Sequence, residues 1–266
     1  MLPIYEAIDV VKVIGENVGH TKPWVVYANT PQGLKSFVVK LYTTAQVDNF
    51  QHCVTKEVIC NKLATEFDLK VPGCAFIEIP YELAMRRPAI EQEQFDDSDT
   101  RLKFATELID NVNISIPNLN KEYLKKKIPI DTLYAFDNLI RNCDRGYPKP
   151  NLLIGSKDAY LIDHEFTLWH NHIIGIDFDT LQLDDKFTKN HIFFPYLKKT
   201  IFKNKQNFFK DFSFYLNNLN INSLNPLFQQ LANLGFENYS QPIIYWLNQV
   251  KQNNTIFVNK LKGTLQ

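Results

Sequence analysis

Nowhere does the chain hold the roughly 18 consecutive apolar residues that a spanning helix needs, so no membrane span is expected. Neither charge is in excess, because 29 Lys and Arg face 29 Asp and Glu among 266 residues. That balance argues against a direct nucleic-acid binder, which carries a clear basic surplus. Cysteine is scarce. Cys53, Cys60, Cys74 and Cys143 form no Cys-x-x-Cys pair and no dense pattern, which speaks against a secreted disulfide scaffold and for reduced cytoplasmic thiols. The opening residues, Met-Leu-Pro-Ile-Tyr-Glu, lack a basic stretch followed by an apolar run, so no secretory signal is expected. What the sequence does have is 45% apolar residues, enough for a sizeable core without disulfides or a structural metal.

Residues 5–42 read as three strands. Ile8, Val10, Val11, Val13 and Ile14 form the first, Trp24 to Tyr27 the second and Phe37 to Leu41 the third, with turn chemistry at Gly15–Gly19 and Asn29–Gly33. This predicts an antiparallel meander. From Gln46 to Phe67 the spacing of Val47, Phe50, Val54, Val58 and Leu63 predicts a helix, which Pro72-Gly73 bounds. Strands are expected at Cys74–Ile79 and Leu102–Ile109, with the acidic stretch Glu91–Thr100 between them as an exposed loop or helix end. Residues 111–129 read as a connection between two lobes. A helix then runs from Pro129 to about Asn142, and two short strands, Asn151–Ile154 and Ala159–Asp163, follow a polar loop. In the Asn-, Lys- and Phe-rich remainder, the stripe Phe208, Phe212, Tyr215, Leu219 reads as helical core packing.

A strand, a glycine loop, a strand, a strand carrying Lys40 and a helix carrying Glu57 follow the order of a kinase small lobe, where a strand lysine contacts phosphates. Lys40 lies in Phe-Val-Val-Lys-Leu, and Glu57 could face the sheet and pair with it. A more specific signal is Asn142-Cys143-Asp144-Arg145-Gly146-Tyr147-Pro148-Lys149-Pro150-Asn151-Leu152-Leu153-Ile154, followed by Leu161-Ile162-Asp163-His164. A hairpin would bring Asn151 and Asp163 to one edge. His164, His170 and His172 match no standard zinc spacing, and Lys125-Lys126-Lys127 reads as a solvated run.

The run NCDRGYPKPNLLI with YLIDH resembles the HipA-like kinases, particularly a short branch whose catalytic loop is Asp-Arg, five residues, then Asn-Leu-Leu. Phosphatidylinositol 4-kinases of the second type share a related loop more distantly. The resemblance implies an α+β, two-lobed protein-kinase-like fold, with an antiparallel-sheet N-lobe over residues 1–110 and a mainly helical C-lobe over 111–266. It implies ATP and Mg²⁺ as cofactors, with Asp144 as catalytic base, and Asn151 and Asp163 as metal ligands. Gly19, His20 and Thr21, with Lys22 and Pro23, look like the family's phosphate-covering segment, and backbone groups of Glu107, Leu108 and Ile109 would meet the adenine edge. Glu165 departs from the pattern, since a glycine often stands there.

The expected reaction is transfer of the γ-phosphoryl group to a hydroxyl, with protein Ser or Thr as first acceptor. A phosphoinositide or small-molecule alcohol is the enzymatic alternative, and a nucleotide-binding pseudokinase acting as an interaction module is the alternative from another class. A small protein partner is a further expectation.

Overall fold

A computed structural model describes residues 1–14, 22–49, 51–112, 121–178, 180–200 and 206–266. Gly19, His20, Thr21 and Phe50 lie outside the described residues. The protein is an α+β chain that falls into two compact units. The first comprises Met1–Val58, Pro72–Asp110 and Pro226–Asn238, and the second Ile59–Val71, Asn111–Asn225 and Tyr239–Gln266.

Five strands build the first unit: β1 (Ile4–Val13), β2 (Trp24–Thr30), β3 (Gly33–Val39), β4 (Cys74–Glu78) and β5 (Lys103–Glu107). The expected antiparallel meander is present as β1-β2-β3. At its tight turn, Thr30 pairs with Gly33, whose φ of 104° is one that a side chain would resist. The sheet does not stay open, however. Its order is β1-β2-β3-β5-β4, and β4 returns to pair in parallel with β1, Tyr5 opposite Ile77, which closes a barrel. A five-stranded barrel has little internal room. Ala7 pairs with Ala28 and Ala75 with Ala105, and these small residues leave space for the Trp24 and Phe37 side chains in the core.

The expected helix from Gln46 to Phe67 is broken into α1 (Thr44–Val47) and α2 (Cys53–Glu66). Asn49 and His52 between them take left-handed backbone, φ 50° and 46°, which ends one helix and re-aims the chain for the next. The acidic stretch, expected as an exposed loop or a helix end, is a helix end over residues 91–96 and leaves the helix after that. After α3 (Tyr81–Ala84), α4 covers Ala89–Asp96. Its polar residues fasten its start: Arg87 Nε donates to Glu91 at 2.7 Å, and Gln92 Nε2 donates to the carbonyls of Met85 and Arg87. Residues 226–238 also belong to this unit. Phe236 stacks on Phe76 at 5.8 Å, and the Gln230 amide exchanges two 2.7 Å hydrogen bonds with the backbone of Leu2.

In the second unit, α5 (Lys121–Lys125) precedes α6 (Ile130–Leu139), and the hairpin of β6 (Leu152–Ile154) and β7 (Ala159–Leu161) follows. Further helices are α7 (His170–Ile173), α8 (Phe194–Lys199), α9 (Lys210–Asn218), α10 (Asn225–Asn233), most of which lies in the first unit, α11 (Ser240–Gln252) and α12 (Asn254–Thr264). Of the aromatic stripe, Phe212 and Leu219 are core, as the spacing predicts, while Phe208 and Tyr215 are half-buried; Phe212 packs on Phe67 at 5.1 Å and on Phe257 at 6.0 Å. Such pairs add about 0.5–1.5 kcal/mol each beyond their buried area. Among the described residues no helix is long and apolar enough to cross a membrane.

Candidate active site

In the barrel unit, alternation along the chain sends Val39 and Leu41 into the core and Lys40 to the opposite face. The Lys40 amide still holds the ladder, donating to Phe104 O at 3.2 Å. Lys40 Nζ donates to Glu57 Oε1 on α2, so the pair expected from sequence, 17 residues apart, is formed. Their side chains are 15% and 1% exposed, and the Tyr42 hydroxyl donates to the same Glu57 oxygen at 3.3 Å. A carboxylate this buried needs its cation, because removing one member of a buried pair strands the other. At the far end of β5, the amides of Glu107 and Leu108 are already used, bonding Gly73 O at 2.7 Å and Ser36 O at 2.9 Å. The Glu107 side chain pairs with Lys35 at 2.6 Å.

In the second unit the site is built around a buried arginine. Leu152 faces Leu161 across the β6–β7 hairpin, and the Ile162 amide donates to Asn151 O at 3.1 Å. Asn151 and Asp163 therefore stand at one edge of the hairpin, as the sequence suggests. Both are half-buried and both take left-handed backbone, φ 50° and 63°, which Asn and Asp tolerate better than most side chains. Asn151 Nδ2 donates to Asp144 Oδ2 at 2.8 Å and to Asp144 O at 3.2 Å, which turns its amide oxygen outward as the acceptor end. The Asp144 amide in turn donates to Asn142 Oδ1 at 2.9 Å.

Arg145 holds these pieces together from beneath. Its Nη1 donates to the carbonyls of Pro150, Asn151 and Ile162, each next to or part of a candidate metal ligand's backbone. Its Nε and Nη2 grip both oxygens of Asp137 at 3.0 and 3.3 Å, and neither side chain is exposed. Asn142 Nδ2 and His191 Nε2 complete the shell of Asp137 at 2.9 and 3.0 Å. Burial alone would keep that carboxyl neutral, but the charge of Arg145, with the His191 and Arg145 hydrogen bonds, holds it far below the usual carboxylate range. Burial pushes His191 the other way, below the usual imidazole range. Its Nδ1 accepts from the Phe193 amide at 3.1 Å, so the neutral ring presents an Nε2 hydrogen to Asp137. Gly146 belongs to the same arrangement, since a Cβ there would lie 2.9 Å from Asn190 O.

Sequence reasoning assigns no role to Asp137 or His191. An acid inside a helix whose neighbours Phe136, Asn138 and Leu139 are all buried is the signal that could have found Asp137. His191, 54 residues from Asp137, sits in no motif. Among the described residues no group of three or more His, Cys, Asp or Glu side chains is gathered for a metal. The oxygen set of Asn151 and Asp163 still fits Mg²⁺, which needs only one or two protein carboxylates or amide oxygens and takes its other ligands from phosphates and water.

A family model described as HipA-like kinase matches residues 10–220. No curated protein matches the chain. The matched span runs through the Lys40–Glu57 pair and on past the hairpin held by Arg145, and with that coverage the chain belongs to the HipA-like kinase family.

Proposed function

We propose that this kinase transfers the γ-phosphoryl group of ATP to a hydroxyl, with Ser or Thr of a protein as the acceptor, in a two-lobed kinase-like arrangement. The barrel unit would supply the nucleotide lobe, within residues 1–110, and residues 111–266 the catalytic lobe. Lys40, steadied by Glu57, is the cation for the nucleotide phosphates. With the amides of Glu107 and Leu108 already bonded, adenine recognition falls to their carbonyls and to Ile109. The phosphate-covering role of Gly19, His20 and Thr21 remains part of the proposal.

The observation that carries this reading is the hydrogen bond between Asn151 and Asp144 on a loop clamped by Arg145. Asp144, oriented through Oδ2 by the Asn151 amide, is the carboxylate to take the proton of the acceptor hydroxyl. As that proton leaves, the acceptor oxygen bonds to the γ-phosphorus and the bond from phosphorus to the β,γ-bridging oxygen breaks, releasing ADP. Asn151 and Asp163 would hold Mg²⁺, which neutralises phosphate charge when bound. Arg145 keeps both ligands and the base in register, so little reorganisation is left for the moment of transfer. The four cysteines, none of them in a disulfide, support a reducing, cytoplasmic setting.

The test is incubation of purified protein with γ-labelled ATP and Mg²⁺, with and without cell lysate, followed by identification of the labelled species. Label on protein Ser or Thr supports the proposal. Label confined to a lipid or small alcohol would transfer the reading to that acceptor class, and nucleotide binding without any transfer would make the protein a pseudokinase.

A further inference from the structure

At one end of the barrel, β4, β5 and the segment from α3 to Leu102 enclose a cavity of about 290 Å³. This is near the lower end of the roughly 300–1,000 Å³ usual for small-ligand pockets. Ile77, Ile79, Phe95 and Tyr81 provide apolar wall, and Tyr81, 58% exposed, stands at the rim. Lys40 is not in the lining of this cavity, although a far smaller space of about 10 Å³ has both Lys40 and Lys103 at its wall. Val39 faces Ala105 across the β3–β5 ladder, so Lys40 is level with Phe104, and the next residue, Lys103, points to the opposite face of the sheet.

Lys103 is the buried cation of this cavity, only 7% exposed. Its Nζ donates to Ser98 Oγ at 2.9 Å, and Ser98 passes its own hydrogen to Phe95 O at 2.6 Å. The Phe95 ring, 5.5 Å away, is its other contact, so two of the three ammonium hydrogens meet no oxygen among the described residues. The nearby carboxylates compensate it only in part, since Asp99 opposes the effect of burial while Arg101 beside it adds a like charge. Asp99 is gripped through both oxygens by Arg101, at 2.7 and 2.6 Å, and Arg101 is itself pinned by Asp48 and by Gly235 O. Glu78 and Asp96 lie exposed in the lining. Burial accordingly lowers the Lys103 ammonium to about 8. A buried cation that is only partly compensated, beside an apolar wall, is complementary to an anion with an apolar body. A phosphate, with more oxygens to satisfy, would ask for further donors that the fixed Arg101 does not offer.

We propose that this cavity binds a small carboxylate with an apolar body, the carboxylate on Lys103 Nζ and the body against Ile79, Phe95 and Tyr81. The walls are β4, β5, the helices α3 and α4 and a pinned arginine, so the site is largely formed before the ligand arrives. The probe is phenylacetate, with neutral 2-phenylethanol and inorganic phosphate as controls, titrated into the full chain by calorimetry and thermal melting. Phenylacetate is expected to bind at millimolar or lower concentration and to raise the melting temperature with concentration. 2-Phenylethanol should bind at least about tenfold more weakly, and ATP should not displace phenylacetate. Lys103→Met, of similar shape, should lose at least about tenfold in phenylacetate affinity while melting no lower than the wild type, because it removes an unpaired buried charge. Should that variant not fold, Tyr81→Ser at the rim provides the reading, with weaker phenylacetate binding expected and an unchanged melting temperature. The proposal fails if phenylacetate does not bind at millimolar concentration, if 2-phenylethanol binds equally well, if only phosphate binds, if ATP displaces the probe, or if these substitutions leave its affinity unchanged.

Discussion

Arg145 and Lys103 are both buried cations with opposite surroundings. Arg145 spends its guanidinium on both oxygens of Asp137 and on three carbonyls, whereas Lys103 makes one hydrogen bond, to Ser98. A buried charge whose partners are complete fixes backbone in place and has nothing left to offer a ligand. One that is incomplete costs stability, and that cost is relieved when an anion enters. The contrast separates a positioning residue of the proposed phosphoryl-transfer site from the candidate receptor of a second ligand.

The strongest way to break the contrast is Arg145→Met. It leaves the buried Asp137 carboxyl without its cation and strips the hydrogen bonds from three loop carbonyls, so unfolding by urea should show a loss of about 3–5 kcal/mol, together with loss of phosphoryl transfer. A stability change no larger than that of a surface substitution would deny Arg145 its role. Gly146→Ala should cost less, about 1–3 kcal/mol, because the added methyl meets the Asn190 carbonyl and pushes it away, disturbing the segment whose Ile192 amide bonds Arg145 O. Urea titration checks this as well. A neutral outcome would mean that the contact with Asn190 yields freely.

Two smaller effects depend on pH. The folded-state value of Lys103 lies below its ordinary 10.5, at about 8. Between those limits the unfolded chain holds a proton that the folded chain has released, so raising the pH from 8 towards 10.5 favours folding through this residue. The stability difference between wild type and Lys103→Met should therefore shift in favour of the wild type across that window, and a constant difference would contradict the unpaired lysine. His191 acts on the acid side and more weakly. Because burial keeps it neutral in the fold, protons favour the unfolded chain as pH falls below its ordinary 6.5. His191→Gln should remove that part of the acid destabilisation in a comparison of melting temperatures.

Much of the geometry of the candidate site was legible because its residues are close in sequence. Asp144, Arg145 and Asn151 lie in one loop, and the short hairpin that joins Asn151 to Asp163 has ordinary turn chemistry. Lys40 and Glu57 were legible as a strand lysine and a helix glutamate, although the break at Asn49 and His52 was not, since neither residue type announces left-handed backbone. The parallel pairing of β1 with β4 left no trace either. Register between distant strands depends on which faces pack, and paired alanines carry little signal. His191 is the clearest loss, because a lone histidine acquires meaning only once the fold sets it against Asp137. The stretch from Glu91 to Thr100 left loop and helix end open for a plain reason, in that side chains read as solvated are those that tie down the start of α4.

The central claim is that Asp144, set by Asn151 and the Arg145 clamp, takes the acceptor proton. Its most direct test compares wild type and Asp144→Asn for single-turnover transfer from γ-labelled ATP, with ATP affinity measured on the same samples. The account predicts transfer by the wild type, a fall of about 10²–10⁴-fold in the variant, and ATP affinity changed by no more than about twofold. Equal rates in the two proteins, or loss of ATP binding along with turnover, would contradict it.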